Sequence, residues 1–321
     1  MDPILTLTVN PTIDLGLEVD SLEPEGKNRA RLRGVRAGGG GINVARAIVE
    51  LGGEAIAIHT AGGHVGARLD RSLDEEGLAH VSVPMPFETR EAVVLFEADH
   101  QRSYHIVPGG SEMSEDVAAR FLDAVTSRVA DHRFVVASGS LPPGFPDDLY
   151  AQVARAVHDV GGSFVLDTSG AALRRALDEG VHLVKPNRRE AAEILGREVE
   201  DLHDAREVND RILTRGAARI AITTVGDQGS VVSADDTHAT VEPPELPGPL
   251  LSDAGAGDSF LAAVTLELAR GSDHVRAAAH GQAAAAAALL TPGTELCRRR
   301  DAEELVSEVA TTVEDRAART S

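Results

Sequence analysis

Residues 252–260 read Ser-Asp-Ala-Gly-Ala-Gly-Asp-Ser-Phe, and they bring a run of small residues to the start of an alanine- and leucine-rich segment. At the start of a helix the backbone N–H groups and the aligned peptide dipoles favour an anion. Small side chains at 254–257 would let a negatively charged group approach these N–H groups closely. Asp258 would then lie beside the anion, where it could take a proton from an attacking hydroxyl. The alternative is that Gly255 and Gly257 form a turn and Asp258 caps the helix.

The composition excludes several classes of protein. At 321 residues the chain could form one large α/β domain or two ordinary ones, and its 42% hydrophobic and 26% charged residues are typical of a soluble globular protein. The longest apolar run, 283–290, is far shorter than the roughly 20 residues of a membrane span. The net charge of −20 argues against a nucleic-acid-binding protein, because nucleic-acid binding requires a basic surface. The single cysteine, Cys297, and the absence of an export signal predict a cytoplasmic location.

The order of strand and helix patterns predicts an α/β fold with a mostly parallel sheet, covered by helices on both faces. Strands are expected at 4–9, 55–59, 81–84, 134–137, 163–167, 182–184, 219–224, 230–233 and 238–241. Helices are expected from 42, at 66–76, 114–129, 257–270, 273–290 and 302–313, and after each of the strands at 134–137, 163–167 and 182–184. Two segments interrupt this rhythm: 11–36, and a hairpin within 88–107. They are expected to form a small lid on a single domain that spans 1–321.

A glycine loop precedes the helix that begins at Ile42. Four glycines, Gly38 to Gly41, would let a polyhydroxylated ligand approach the backbone closely, and the Asn43 amide can both donate to and accept from its hydroxyls. Asp14 follows the first strand at its carboxyl end, where ligands gather in open α/β sheets. A flexible loop and an exposed turn residue are the alternatives.

Basic residues suggest a site for a phosphate group on the ligand. Arg90 and Arg102 lie on neighbouring strands of the hairpin and could bind such a group together with Lys27. Only two lysines, Lys27 and Lys185, occur among the 31 basic residues, which suggests that each has a specific role. The alternative for each arginine is a solvated surface position.

A second polar group follows a buried strand at 182–184. Lys185 precedes Asn187 and Glu190, which are three residues apart and are expected to share a helix face, where they could hold a hydrated Mg²⁺ through its waters. Ordinary capping of a helix is the alternative. Residues 223–229 combine a hydroxyl with two glycines at a strand-to-strand turn, which suits a nucleotide's phosphates or ribose, although a simple hairpin would look the same.

Several common chemical motifs are missing from the sequence. No group of His and Cys residues has the spacing of a zinc site. Neither the phosphate-binding loop of P-loop nucleoside triphosphatases nor the nucleophile elbow of α/β-hydrolases is present. The prediction of nucleotide chemistry therefore depends on the combination of the modest signals above.

Six segments together resemble the ribokinase-like (PfkB) sugar kinases, and they occur in the family's order over nearly the whole chain. The segments are 10–14 (Asn-Pro-Thr-Ile-Asp), 38–46 (Gly-Gly-Gly-Gly-Ile-Asn-Val-Ala-Arg), 138–144 (Ser-Gly-Ser-Leu-Pro-Pro-Gly), 185–190 (Lys-Pro-Asn-Arg-Arg-Glu), 224–229 (Thr-Val-Gly-Asp-Gln-Gly) and 253–260 (Asp-Ala-Gly-Ala-Gly-Asp-Ser-Phe). The resemblance implies a three-layer α/β/α fold with a small β lid. It also implies phosphoryl transfer from ATP to a sugar that already carries a phosphate.

The resemblance assigns roles to matched positions. It makes Asp258 the catalytic base and the amides of Gly255, Ala256 and Gly257 an anion hole for the transferring phosphoryl group. The sugar phosphate would contact Asp14, Lys27, Gly38, Gly39, Asn43, Arg90, Arg102 and Ser140. MgATP would contact Lys185, Asn187, Glu190, Thr224, Gly226 and Gly229, and a potassium ion would lie near Ser252, Ala254 and Gly293.

Three positions depart from the family's pattern. Tyr104 stands where close relatives place a second phosphate-binding arginine, and Arg102, on the same strand face, is expected to replace it. Arg189 stands in place of a lysine, and Thr291 in place of an asparagine beside the potassium site.

Within the family, the segment Pro-Glu-Gly-Lys-Asn-Arg at 24–29 and the four-glycine loop most resemble 6-phosphofructokinases of the second, minor bacterial type. The expected reaction is therefore phosphorylation of fructose 6-phosphate. Kinases for fructose 1-phosphate or tagatose 6-phosphate are the near alternatives, and a non-catalytic sugar-phosphate sensor is the distant one. The resemblance also implies a homodimer that pairs through the lid.

Overall fold

A computed structural model describes residues 2–235 and 237–315, and strands and helices alternate through them as the sequence predicts. The strands are β1 (Ile4–Thr8), β2 (Thr12–Val19), β3 (Arg31–Gly38), β4 (Ala55–Ala61), β5 (His80–Pro84), β6 (Arg90–Glu97), β7 (Arg102–Ile106), β8 (Phe134–Ser138), β9 (Ser163–Asp167), β10 (Val181–Val184), β11 (Ala218–Thr224), β12 (Ser230–Ala234), β13 (Thr237–Val241) and β14 (Thr311–Asp315). The helices are α1 (Gly40–Glu50), α2 (Gly63–Glu76), α3 (Glu115–Thr126), α4 (Leu149–Asp159), α5 (Gly170–Glu179), α6 (Arg188–Leu195), α7 (Leu202–Thr214), α8 (Ala256–Ala269), α9 (His274–Leu289) and α10 (Arg299–Leu305). None of the helices in the described ranges is long and apolar enough to cross a membrane.

Ten strands form the central sheet in the order β14-β13-β12-β11-β10-β9-β8-β1-β4-β5. The strands from β11 to β5 are parallel, and β12, β13 and β14 extend the sheet antiparallel. Neighbouring side chains of β1 point to opposite faces, so Ile4 and Leu5 join two different hydrophobic clusters. Because both faces are covered, every residue of β1 and of β8 is buried, so these strands show no alternation of buried and exposed positions.

Helices α1, α2, α8, α9 and α10 contribute to the cluster on one face of the sheet, and α3 to α7 to the cluster on the other. The three-layer α/β/α prediction is thereby confirmed. Small residues bring α8 and α9 together: a Cβ at Gly281 would lie 2.6 Å from Cγ2 of Val264. The alanine-rich run at 283–288 is accordingly a packed helix face, with all but Ala285 buried.

The two interrupting segments form a separate four-stranded sheet with the order β3-β2-β6-β7. Strand β2 follows β1 after a short turn and pairs parallel with β6, while β3 leads directly into α1. The start of β2 and the end of β3 therefore lie together at the carboxyl edge of the central sheet. This position suits a cover over that edge.

The structure corrects the prediction for the end of the chain. The helix expected at 302–313 is α10, which begins at Arg299 and ends at Leu305, and Thr311–Asp315 then form β14 against β13. The run Thr311, Thr312, Val313 consists of β-branched residues, which favour strands. Pairing with an otherwise free strand edge outweighs the helix pattern.

Candidate active site

Polar residues collect at the carboxyl ends of adjacent parallel strands. Thr8 ends β1, Ser138 ends β8, Asp167 ends β9, Lys185 follows β10, and Thr224 ends β11. The chain crosses from one side of β1 to the other between β5 and β8, so a crevice opens at this edge, as ligand sites do in open α/β sheets.

Asp258 lies in the first turn of α8 and faces this crevice. Its Oδ2 accepts a hydrogen bond of 2.9 Å from Nδ2 of Asn43, and its Oδ1 accepts one of 3.3 Å from the hydroxyl of Ser138. The carboxylate is thus held from α1 and from the end of β8. Asn43 was predicted for the site, whereas Ser138 was quoted only as part of a motif.

Burial raises the pKa of Asp258 to about 6. The hydrogen bond from Asn43 opposes this shift, the nearby negative charge of Asp167 adds to it, and Lys185 and Ser138 oppose it again. A carboxyl with this pKa is still ionised at neutral pH, and it accepts a proton more readily than an ordinary aspartate does.

The N-terminus of α8 carries no side-chain cap. Gly255 is the N-cap residue with φ of 78°, a left-handed conformation that favours glycine. The first N–H groups of the helix lack intrahelical partners, as at any helix start. The positively charged Nζ of Lys185 lies close to this helix start, since it would be 3.8 Å from a Cβ built on Gly257. The predicted anion site thus combines helix-start amides with an ammonium group.

The glycine loop has no room for side chains. A Cβ at Gly38 would overlap the Asp14 carboxylate, and one at Gly40 would overlap the Ser138 hydroxyl. Helix α1 begins at Gly40, two residues before the expected start. The loop therefore lets Asp14 and Ser138 approach the backbone at the mouth of the crevice.

Arg46 orients Asn43, and sequence reasoning missed it. Its Nη1 donates to Oδ1 of Asn43 (3.2 Å), while other guanidinium nitrogens donate to the carbonyl of Ala37 and to Glu76. Since a guanidinium only donates, the amide oxygen of Asn43 must face Arg46 and its NH₂ must face Asp258. One turn of helix separates the two residues, which is the signal that could have indicated the pair.

A cavity of about 180 Å³ separates the small sheet from the start of α8. The predicted residues Asp14, Asn43 and Gly255 line it, together with His105 and Thr294, which were not predicted. Burial raises the pKa of Asp14, although Thr12 and Arg90 oppose the shift. A larger cavity of about 710 Å³ lies between α5, α6 and α7, but none of the predicted site residues lines it.

Lys185 forms an ion pair with Asp167, a residue that the sequence analysis left without a role. Nζ of Lys185 lies 2.8 Å from Oδ2 of Asp167, and Lys185 is only 4% exposed. Burial disfavours the charged amine, but Asp167, Glu190 and Asp258 more than offset it and raise the pKa of Lys185. The signal for Asp167 was its place at the carboxyl end of a parallel strand.

Asn187 and Glu190 form a capping box, which corrects the expectation that they share a helix face. Asn187 is the N-cap of α6, its Oδ1 accepts from the N–H groups of Arg189 and Glu190, and Glu190 accepts from the N–H of Asn187 at 2.9 Å. Burial and then Asp167 raise the pKa of Glu190 to about 7. A Mg²⁺ ion near this carboxylate would favour its ionised form and offset the cost of its burial.

The predicted nucleotide residues on the next strand adjoin this group. Thr224 donates its N–H to the carbonyl of Pro186 at 3.0 Å and bridges to Asn187. Gly226 and Gly229 follow in a tight turn with φ of 61° and 97°. The structure therefore brings together all the residues predicted for the nucleotide.

The predicted phosphate-binding residues do not converge. Arg90 donates to the carbonyls of Asn10, Pro11 and Pro108. In the strand register Arg102 is opposite Glu97 of β6, and Glu97 is opposite Val19 at the end of β2. Val19 lies five residues beyond Asp14, which places Arg102 roughly 16 Å along the sheet from Asp14 at about 3.3 Å per residue. Lys27 lies in the exposed loop beyond that end. Strand register explains why the prediction was wrong. Residues on neighbouring strands can point to the same face of a sheet and still lie at different positions along the strands.

The remaining predicted residues lie near the start of α8 or the end of β8. The hydroxyl of Ser252 donates to the carbonyl of Gly293 and accepts from the N–H of Ala254, so the three residues of the potassium prediction adjoin one another. Thr291 is buried, and its hydroxyl bonds to the carbonyls of Ala288 and Glu295. Ser140 lies exposed two residues after β8.

Comparisons with known proteins agree with this geometry. The model of the family "pfkB family carbohydrate kinase" matches residues 7–301. The ATP-dependent 6-phosphofructokinase isozyme 2 of Mycobacterium tuberculosis is 36% identical over 94% of this chain and 88% of its own length. Phosphofructokinase-2 from Escherichia coli, at 34% identity, aligns over 96% of this chain and 99% of its own, with TM-scores of 0.88 in a complex with fructose-6-phosphate and 0.90 in a complex with potassium. The chain therefore belongs to the pfkB family of carbohydrate kinases.

Proposed function

We propose that the protein transfers the γ-phosphoryl group of ATP to the C1 hydroxyl of fructose 6-phosphate. Family membership confirms the predicted class, a sugar-phosphate kinase. The observation that carries the proposed chemistry is the Asp258 carboxylate, held by Asn43 and Ser138 next to the uncapped start of α8. The proposed acceptor rests on the relatives named 6-phosphofructokinase and on the relative solved with fructose-6-phosphate.

In the proposed step Asp258 takes the proton of the acceptor hydroxyl while the oxygen of that hydroxyl bonds to the γ-phosphorus. The bond from that phosphorus to the bridging oxygen breaks, and ADP leaves with the electron pair. The N–H groups of Gly255, Ala256 and Gly257 would stabilise the charge on the phosphoryl oxygens, because they are fixed before the reaction.

ATP would lie along the ends of β10 and β11. The proposed contacts are Lys185, Asn187, Glu190, Thr224, Gly226 and Gly229, with Glu190 and Asn187 holding Mg²⁺ through its waters. When bound, Mg²⁺ supplies charge neutralisation on the phosphates. A potassium ion beside Ser252, Ala254 and Gly293 is proposed as well.

The sugar would occupy the cavity between Asp14 and Gly255, below the small sheet. Asp14, Gly38, Gly39, Asn43 and Ser140 would bind its hydroxyls. We propose that the small sheet closes over the sugar as a unit, which leaves Arg90, opposite Thr12 in the strand register, nearest to the substrate's phosphate. Closure cannot bring Arg102 or Lys27 to the same place, because both belong to the far end of that sheet. Such closure would also exclude water and limit hydrolysis of ATP.

A coupled assay of ADP release tests the acceptor. We expect kcat/KM with fructose 6-phosphate to exceed that with fructose 1-phosphate or tagatose 6-phosphate by at least about tenfold. Tagatose 6-phosphate misplaces one hydroxyl, which leaves a buried polar group unpaired, and fructose 1-phosphate already carries its phosphate on the C1 oxygen. A higher kcat/KM with one of the other two sugar phosphates would identify that compound as the acceptor and would leave the assignment as a kinase unchanged. ADP release with none of the three, with and without potassium, would favour the non-catalytic sensor.

The raised pKa of Asp258 predicts the pH dependence of turnover. The base acts only when it is ionised, so kcat/KM should fall as the pH falls through about 6 and level off above it. The substrate's phosphate titrates in the same range, and the variant Ser138→Ala separates the two. Loss of the Ser138 hydrogen bond destabilises the carboxylate and should shift the inflection to higher pH, whereas the substrate's pKa stays unchanged. An inflection that does not move contradicts the assignment.

We propose a homodimer that pairs through the small sheet. Leu32 on β3, Ile106 on β7 and the following Val107 are 63%, 57% and 54% exposed, an unusual amount of apolar surface for one small sheet. Light scattering should give twice the monomer mass, and Leu32→Lys should shift it to monomer. The control Val160→Lys, at an exposed position (48%) after α4, should leave the dimer intact. A wild-type monomer would contradict the proposal.

A further inference from the structure

Two histidines and an aspartate meet at the edge of the central sheet, outside the kinase site. His59 lies in β4, His80 begins β5, and Asp70 lies in α2. In the parallel register Ala57 is opposite His80 and His59 is opposite Ser82, so both imidazoles point to the same face of the sheet. His59 is fully buried, and one potential ligand atom from each of the three residues lies within 4.8 Å of the others.

The outer contacts of both rings determine which nitrogens keep a lone pair. Nδ1 of His59 is 3.1 Å from the carbonyl oxygen of Thr60, and Nε2 of His80 is 3.2 Å from a carboxylate oxygen of Asp74. Both partners only accept, so these two nitrogens carry the protons of the neutral rings. The other nitrogens, Nε2 of His59 and Nδ1 of His80, face each other at 3.0 Å, and whenever both rings are neutral two lone pairs meet there with no proton between them.

Asp70 brings a third lone pair to the same place. Its Oδ1 is buried and, among the described atoms, has no hydrogen-bond partner; it lies 3.7 Å from Nε2 of His59. The hydroxyl of Ser82 holds the other carboxylate oxygen at 3.2 Å. An unpartnered buried carboxylate oxygen costs free energy unless a cation or a donor compensates it.

We propose that His59, Asp70 and His80 bind Zn²⁺. Tetrahedral Zn²⁺ with bonds of about 2.0–2.1 Å separates its ligand atoms by about 3.3 Å, and the observed separations of 3.0 and 3.7 Å lie on either side of that value. Thr60, Asp74 and Ser82 each hold one ligand from behind, as outer-shell groups do in zinc sites. Asp70 and His80 are only partly buried, so water completes the coordination.

A second group, Asp201, His203 and Asp204, is less suited to a metal. Asp201 caps α7 through the N–H groups of His203 and Asp204, and Asp204 pairs with Arg197 at 2.7 Å. These carboxylates already have partners, in contrast to Oδ1 of Asp70. Zinc at the first site would link α2 to β4 and to the edge strand β5, and thus stabilise that edge.

The test is a zinc titration of the tag-free, chelator-treated chain without ATP, followed by a competing chromophoric chelator and by thermal unfolding. We expect one Zn²⁺ per chain and a rise in Tm. Asp70→Asn and His80→Gln should raise the half-saturating zinc concentration at least about tenfold, as should Asp74→Asn, which affects only the outer shell. The control His64→Gln, an exposed histidine on the same helix, and His203→Gln should leave it unchanged.

Cobalt provides a readout that does not depend on stability. Co²⁺ in a four-coordinate site absorbs visible light strongly, and this absorption should be present in the wild type and absent in Asp70→Asn even where His80→Gln does not fold. Unchanged zinc affinity in both ligand variants would overturn the proposal. Failure of the wild type to bind would overturn it too, and would assign the contact between the rings to a shared proton.

Discussion

Replacing Asp258 by asparagine is expected to lower kcat by about 10³-fold, since a general base contributes about 10²–10⁴-fold. Asparagine has nearly the same shape as aspartate, but its amide cannot take the proton of the acceptor hydroxyl. The contacts with Asn43 and Ser138 and the start of α8 should persist. ATP affinity, measured by calorimetry, should therefore stay within about threefold.

The protein should not lose stability through this change, because burial already disfavours the ionised carboxyl of Asp258. The control is Asp116→Asn, which alters an aspartate in the first turn of α3, exposed and paired with Arg120. It should keep wild-type turnover. If Asp258→Asn retains turnover within about tenfold of the wild type, Asp258 is not the base.

The second large effect is expected for Lys185→Met. The substitution keeps the length of the side chain but leaves Asp167 and Glu190 without their buried cation, so the free energy of unfolding should fall by about 3 kcal/mol. The KM for ATP should rise as well, because the start of α8 loses its neighbouring ammonium group. Denaturant unfolding and initial rates measure the two effects separately.

The chain offers matched controls for this variant. Lys27→Met removes the only other lysine, which is exposed, and should change stability by less than about 0.5 kcal/mol. The double variant Asp167→Asn, Lys185→Met removes the whole ion pair and should recover much of the lost stability. If Lys185→Met alone unfolds like the wild type, the ion pair has no net effect on stability.

Most of the nucleotide residues and the base could be predicted because their signals lie in short segments. Asp258 follows its small residues directly, and Lys185, Asn187 and Glu190 lie within six positions. Asp167 was missed although it ends the strand predicted at 163–167, which is the position where ligands gather. His105 was missed because nothing beside it in sequence marks it, and only the neighbouring strands place it at the cavity. The phosphate residues were predicted from charge and strand alternation, which specify a face of the small sheet and leave the level along it open.

The sequence by itself determined the alternation of strands and helices, the apolar character of strands buried on both faces, and the small residues at the start of α8. Each of these depends on residues that are neighbours along the chain, through side-chain periodicity and local backbone geometry. Only the tertiary structure decided which distant residues meet. Asn43 and Asp258 are 215 positions apart, and His59, Asp70 and His80 have no motif spacing, so their contacts follow from the order and register of the strands.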